Sequence, residues 1–325
     1  MTHKSKIAAF ILCLAFAAAA AADQRVNLLP KLQPGQVLHY LIHFRSDKKV
    51  KTESNVVVPL GPNAAQVDAH GLLRIEILDV QQAAGKPVVH GRAQFLAADP
   101  SMPTKNPEGK SPLSDTQPVL AVGKAVEFTI SSSGFFEQVS GLDALSPENQ
   151  QAWQEWAARF AAAWILPAQG ARIGEKWKSQ ELEPGASPIA ALSWQRDSSY
   201  VRNEPCRTSQ LSVTGEFSPS SGSYDSCAVL LTSARLTQRS SSKDSTPEEF
   251  KIHELRTMGT AKGSNEMITY ISLTTGLVVR ATEEASQQMD VVVAKADGSN
   301  RVHYNVDATS HVEVLLVTGV SAASP

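Results

Sequence analysis

From residue 37 to residue 317 the chain repeatedly alternates apolar and polar side chains. That two-residue period is the strongest restriction on its fold, because successive side chains of a strand point to opposite faces. In Val37 to Phe44, one face collects Leu38, Tyr40, Ile42 and Phe44, and the other carries Val37, His39, Leu41 and His43. The first face is the core candidate. Further runs of this kind are Asn55 to Leu60, Leu72 to Val80, Pro87 to Leu96 and Ala125 to Ile130. The last meets Phe135 to Val139 across Ser131, Ser132, Ser133 and Gly134, a junction that reads as a hairpin. Residues 98–118 contain Pro100, Pro103, Pro107, Pro112 and Pro118, which a sheet interior does not accommodate, so an exposed excursion is expected there.

After Gly174 and Trp177 a second series of strand-like runs begins: Ile189 to Trp194, Ser198 to Arg202, Gln210 to Phe217 and Ala228 to Gln238. Glu249 to Thr260, Glu266 to Leu273, Leu277 to Ala285, Gln288 to Lys295 and Val302 to Val317 follow. The expected class is mainly β, a β-rich α+β chain of curved antiparallel sheets or half-barrels with one aromatic-rich amphipathic helix. The expected organisation is a β-rich region over 23–185, an antiparallel meander over 186–320 and a tail over 321–325. Local pattern leaves open whether the two series form one sheet or two domains.

The helix is expected from Pro147 to about Ile165. Ser146 suits the N-cap, Pro147 the first helical position, and Pro167 ends it. Trp153, Trp156, Ala157, Phe160 and Trp164 recur at helical spacing and form one aromatic stripe. Such a stripe either plugs a curved sheet or lines an apolar ligand cavity, and Trp153, Trp156, Phe160 and Trp164 are the candidate ligand-binding residues.

Residues 1–22 have the three parts of a secretory signal peptide. Lys4 and Lys6 precede an apolar run from Ile7 to Ala20, and Ala20, Ala21 and Ala22 precede Asp23. Cys13 falls inside that run. The exported chain then keeps only Cys206 and Cys227, in a periplasmic or extracellular setting where disulfides persist, and a Ser/Gly/Pro-rich loop between them could bring them together. No later stretch is apolar enough to form a transmembrane helix. Lys and Arg total 30 against 32 Asp and Glu, so nucleic acid is not an expected partner. The expected partners are an apolar small molecule or a cell-envelope protein.

Catalytic signatures are missing. No phosphate-binding glycine loop, dinucleotide fingerprint or G-x-S-x-G elbow occurs, and the pairs Ser46/Lys49 and Ser240/Lys243 lie in polar turns without a K-T-G partner. No cofactor and no catalytic residues are expected. His39 and His43 are four residues apart on one strand, roughly 13 Å, too far to share an ion, so no metal site is expected from local spacing. Carboxylates scattered through the second half, among them Glu181, Asp197, Asp225, Asp244, Glu254 and Glu266, single out no pair. Trp194 shares parity with Ala190 and Leu192, which points to a core position.

Val126 to Val139 with its central Gly134, Gly141, the helix after Ser146, the Leu166–Pro167 pair, Gly174 before Trp177, and the turn Thr274-Thr275-Gly276-Leu277 together form a recognisable layout. In these features the chain resembles a group of secreted bacterial β-rich proteins of unknown function, which brings no activity with it. It is more loosely similar to periplasmic carriers of lipoproteins and lipids, whose curved sheet closes over several helices where this sequence offers one. The expected function is that of an exported non-catalytic protein that binds an apolar ligand or an envelope partner. A scaffold module without a cavity is the first alternative, and a hydrolase using scattered carboxylates the second.

Overall fold

Alternation does organise this backbone into strands, and they are longer than the pattern suggests. A computed structural model describes residues 25–54, 64–83, 86–96, 123–131, 136–145, 150, 153, 165–182, 187–211, 217–219 and 225–318. The first series gives β1 (Val37–Ser54), β2 (Ala64–Ala83), β3 (Lys86–Leu96), β4 (Ala125–Ile130) and β5 (Phe136–Ser140). The second gives β6 (Lys176–Leu182), β7 (Leu192–Pro205), β8 (Ser209–Leu211), β9 (Phe217–Pro219) and β10 (Ser226–Gln238). It then continues through β11 (Leu255–Ser272), β12 (Val278–Lys295) and β13 (Val302–Thr318). The expected strand 55–60, the excursion 98–118 and the helix apart from Gln150, Trp153 and Ile165 lie outside the described residues; Gln150 and Trp153 are helical and Ile165 is not.

Eleven strands form one antiparallel path in the order β5-β4-β3-β2-β1-β13-β12-β11-β10-β7-β6, with β8 and β9 attached beside the end of β13. The path does not close into a barrel. Each series is an up-and-down meander, and pairing of β1 with β13 joins them, with Tyr40 opposite Leu316 and Phe44 opposite Val312. Strands of 18 residues, such as β1, β11 and β12, extend for about 60 Å at 3.4 Å per residue, which allows one sheet to carry several separate clusters.

The largest cluster lies on the inner face of the first series. Leu38, Tyr40, Ile42 and Phe44 are all buried, as alternation predicts, against Leu73, Ile75, Phe95, Phe128 and Trp153. Burying each such side chain stabilises the fold by about 1.5–3 kcal/mol. Residues 25–36 cross over the second series: Val26 pairs with Ala171, and Leu28 is fully buried beside Tyr200 and Ile271. Gly276 makes that crossing possible, because at φ +70° a Cβ would sit 2.1 Å from the Leu29 carbonyl oxygen.

Several boundaries differ from the sequence expectation. Ile189–Trp194 and Ser198–Arg202 are not two strands, since β7 runs from Leu192 to Pro205 without a break. Gln210–Phe217 is not one strand; its ends fall in β8 and β9. Residues Glu248–Ile252 form a short helix, α1, before β11 starts at Leu255, because Pro247 fixes an extended entry and Glu248 and Glu249 occupy the electropositive first turn.

Candidate functional site

The inner face of β7 runs from Leu192 and Trp194 through Arg196 and Ser198 to Tyr200. Two polar residues therefore point inward between two aromatic ones. Arg196 is only 5% exposed; its Nε donates to Glu181 Oε2 at 3.0 Å and its Nη2 to Glu181 Oε1 at 3.3 Å. Edge strand β6 supplies Glu181, which is also buried. On the neighbouring strands Ser198 and Thr232 share a hydrogen bond at 2.8 Å, and the amide of Asn265 donates to the buried Glu283. These groups form a polar belt across the inner face. On one side of it lies the cluster of Tyr200, Leu230 and Ile271, and on the other that of Trp194, Leu236 and Val291.

A cavity of about 10 Å³ opens on the belt, roughly the room one water occupies. Ile165, Leu166, Trp177, Leu230 and Met267 provide its apolar wall, and Ser179, Arg196, Ser198, Thr232 and Thr269 its polar wall. Arg196 Nη1 and Trp177 Nε1 are buried donors without a hydrogen-bond partner among the described residues. Leaving a buried donor unmatched costs about 1–3 kcal/mol, more for a charged group, so this wall favours an acceptor. Glu181 balances the charge of Arg196, while Nη1 of the guanidinium has no hydrogen-bond partner among the described residues. A carboxylate or another oxygen-rich group matches the two donors and the hydroxyls around them.

Of the four residues proposed for ligand binding, Trp153 is described. It is 2% exposed and packs edge-on to Phe95, with centroids 4.9 Å apart, as part of the main core. Trp156, Phe160 and Trp164 lie outside the described residues. Ile165 and Leu166, which follow directly, reach the cavity and connect the stretch to the belt. Cys206 and Cys227 form a disulfide with a Cα separation of 5.0 Å, joining the end of β7 to the start of β10.

Several of the carboxylates in the second half are held by separate partners. Glu181 is held by Arg196 and Glu283 by Asn265, while Asp225 accepts from the hydroxyls of Ser272 and Thr274. Hydrogen bonds from Thr246, aided by Arg256 and Lys251, hold the Asp244 carboxyl below the usual range against a small opposing effect of burial. Trp194 is buried as its parity predicts, and Tyr200 is 1% exposed. Burial pushes the Tyr40 and Tyr200 phenols up. Burial and then the Arg74 charge lower the pKa of His39.

Arg196 was the signal missed in the sequence. Extending the parity of Leu192 and Trp194 by one step places a guanidinium on a core-facing row, where it needs a partner such as Glu181. His39 and His43 lie four residues apart on β1, as expected, and it is pairing with β13, which local spacing does not record, that sets His43 beside His311 and Glu313.

No family model and no curated protein matches this chain. Among solved structures it is similar to an engineered porin mutant of Rh. blastica at 8% identity, covering 86% of this chain and 100% of that one with a TM-score of 0.20. It is also similar to the CymD monoaromatic hydrocarbon channel at 8% identity, covering 88% of this chain and 89% of that one with a TM-score of 0.12. Likeness at such TM-scores carries no argument about fold or function. Among the described residues no helix is long and apolar enough to cross a membrane, a statement that bears on helices alone.

Proposed function

We propose that this is an exported, non-catalytic binding protein of the cell envelope, and that it takes an amphipathic ligand with an oxygen-rich head on the inner face of its sheet. The observation that carries the reading is the pair of unmatched buried donors, Arg196 Nη1 and Trp177 Nε1, on a cavity whose other wall is apolar. The head accepts from these donors, and the tail lies against the apolar wall of Ile165, Leu166, Leu230 and Met267. The cavity is too small for such a tail, so binding requires the wall of Ile165 and Leu166 to move outward. Export is supported by the leader-like residues 1–22 and by the Cys206–Cys227 bond, which suits an oxidising compartment.

The test begins with protein purified from the envelope fraction, compared by native and denaturing mass spectrometry after solvent extraction. It continues with titration of a fluorescent long-chain carboxylate, cis-parinaric acid. Trp177→Phe keeps the ring and removes the N–H, so it should weaken binding about tenfold, the value of one hydrogen bond to a charged group. An empty protein that binds no carboxylate amphiphile, or equal affinities for the two forms, refutes this reading.

A second reading, an envelope interaction module without a ligand, is favoured by the filled core around Trp153 and Phe95. Specific crosslinking of an empty protein to one envelope protein supports it.

A further inference from the structure

On the outer face, pairing of β1 with β13 sets His43 directly opposite Glu313, and His311 lies two residues before Glu313 on the same face. The imidazoles of His43 and His311 meet edge to face with centroids 5.9 Å apart. One donor atom each from His43, His311 and Glu313 lies within 4.8 Å of the others. We propose that these three residues bind a divalent transition-metal ion, with zinc as the reference ion and a fourth coordination position open to solvent. Nothing in this proposal depends on the cavity of the inner face, because the two sites are on opposite sides of the sheet.

Two imidazoles and a carboxylate form a donor set that suits zinc and its neighbours rather than calcium or magnesium. The spacing is close to what such an ion needs. Tetrahedral zinc with bonds near 2.05 Å holds its ligand atoms about 3.4 Å apart, so the widest pair must close by about 1.4 Å, within reach of side-chain rotation. His311 Nε2 and Glu313 Oε1 are already 3.7 Å apart.

The orientation of His311 is a second, separate observation. Its Nδ1 lies 2.6 Å from Glu284 Oε1 on β12, where His311 and Glu284 are register partners. A carboxylate only accepts, so Nδ1 carries the proton. In the neutral ring the lone pair is then on Nε2, and it faces the Glu313 carboxylate. Two lone-pair-bearing atoms 3.7 Å apart are well placed to hold a cation between them, either a metal ion or a second ring proton. A carboxylate holding the far nitrogen of a ligand histidine is the usual support of a metal site, fixing both tautomer and ring direction. The partly exposed positions, with the His311 side chain at 27% and Glu313 at 47%, let an ion enter without rearrangement of the sheet.

The exported chain suits a direct measurement, because its two cysteines are joined to each other and offer no competing thiolate. Zn²⁺ alone is titrated into the untagged protein by competition with a chromophoric chelator. Wild type should bind one ion at micromolar or tighter affinity. His43→Gln and His311→Gln should each lower the affinity at least tenfold, and Glu284→Gln about tenfold, with unchanged far-ultraviolet circular dichroism. His303→Gln, whose ion-pair partners among the described residues are the remote Asp290 and Glu53, should leave it unchanged. Absence of stoichiometric binding below 0.1 mM, which is the outcome if a second ring proton holds the cluster together, overturns the proposal. Zinc affinity that survives the His43→Gln/His311→Gln double substitution overturns it as well.

Discussion

Replacing Arg196 with methionine tests whether the polar belt is an integral part of the fold. Arg196 and Glu181 have side chains 5% and 9% exposed, so both charges have left water and depend on each other. Removing the guanidinium strands the buried Glu181 carboxylate opposite Trp194 of β7, and breaking a buried pair from one side costs about 3–5 kcal/mol. For a chain of this size each kcal/mol moves the melting temperature by about 2–4 °C, so Arg196→Met should melt on the order of 10 °C lower. Replacing both partners, as Arg196→Met with Glu181→Leu, removes the stranded charge and should return stability to within about 1 kcal/mol of wild type. Urea unfolding of the four proteins of this cycle, disulfide intact, gives a coupling energy that should reach about 3 kcal/mol. A loss below about 1 kcal/mol in the single variant would falsify the reasoning, and so would a double variant as unstable as the worse single one.

Three other expectations follow from individual contacts. Trp153→Ala should lose about 3–5 kcal/mol in chemical denaturation, because the indole is buried against Phe95; a loss under 1 kcal/mol would mean that the ring does not belong to the core. Replacing Cys206 and Cys227 together with alanine should cost about 3 kcal/mol in the chain-entropy account of a loop with a sequence separation of 21, and unchanged stability would show that the bond constrains nothing. His39 has its folded pKa lowered below 6.5, first by burial and then by Arg74, so its contribution is present above that value and is lost as pH falls through the lower folded-state pKa. His39→Gln should flatten the stability profile on the acid side of pH 6.5, and an unaltered profile would remove His39 as a cause.

Much of the strand pattern was legible because alternation records burial directly. Leu38, Tyr40, Ile42 and Phe44 face the core as read, and Ala125–Ile130 is a strand with the expected ends. Two of the misplaced boundaries, in β7 and β11, share one physical cause. Gln195, Arg196 and Asp197 interrupt an apolar run, and the interruption resembles a loop; in the fold Arg196 turns inward to Glu181 while β7 continues. Gly263, Ser264 and Asn265 interrupt β11 in the same way, where Asn265 meets Glu283 across the belt. Backbone pairing does not require apolar side chains, so a polar belt reads as a series of breaks. Partner choice between distant strands left no local trace at all. The approach of His43 to His311 follows only from the pairing of β1 with β13, which no window of sequence contains.

That same pairing determines when this chain can become itself. Of the strands described, β1 is the first to be made and β13 the last, yet they are neighbours in the middle of the sheet rather than at its edges. Until β13 arrives, β1 and β12 each expose an unpaired row of backbone groups, and neither meander has its full set of hydrogen bonds. Contacts so distant in sequence form slowly, since the intervening chain must lose its freedom first. A chain that has not yet made β13 therefore holds two meanders without the seam that joins them. Deleting the last strand would not trim this protein; it would keep the two meanders from ever meeting.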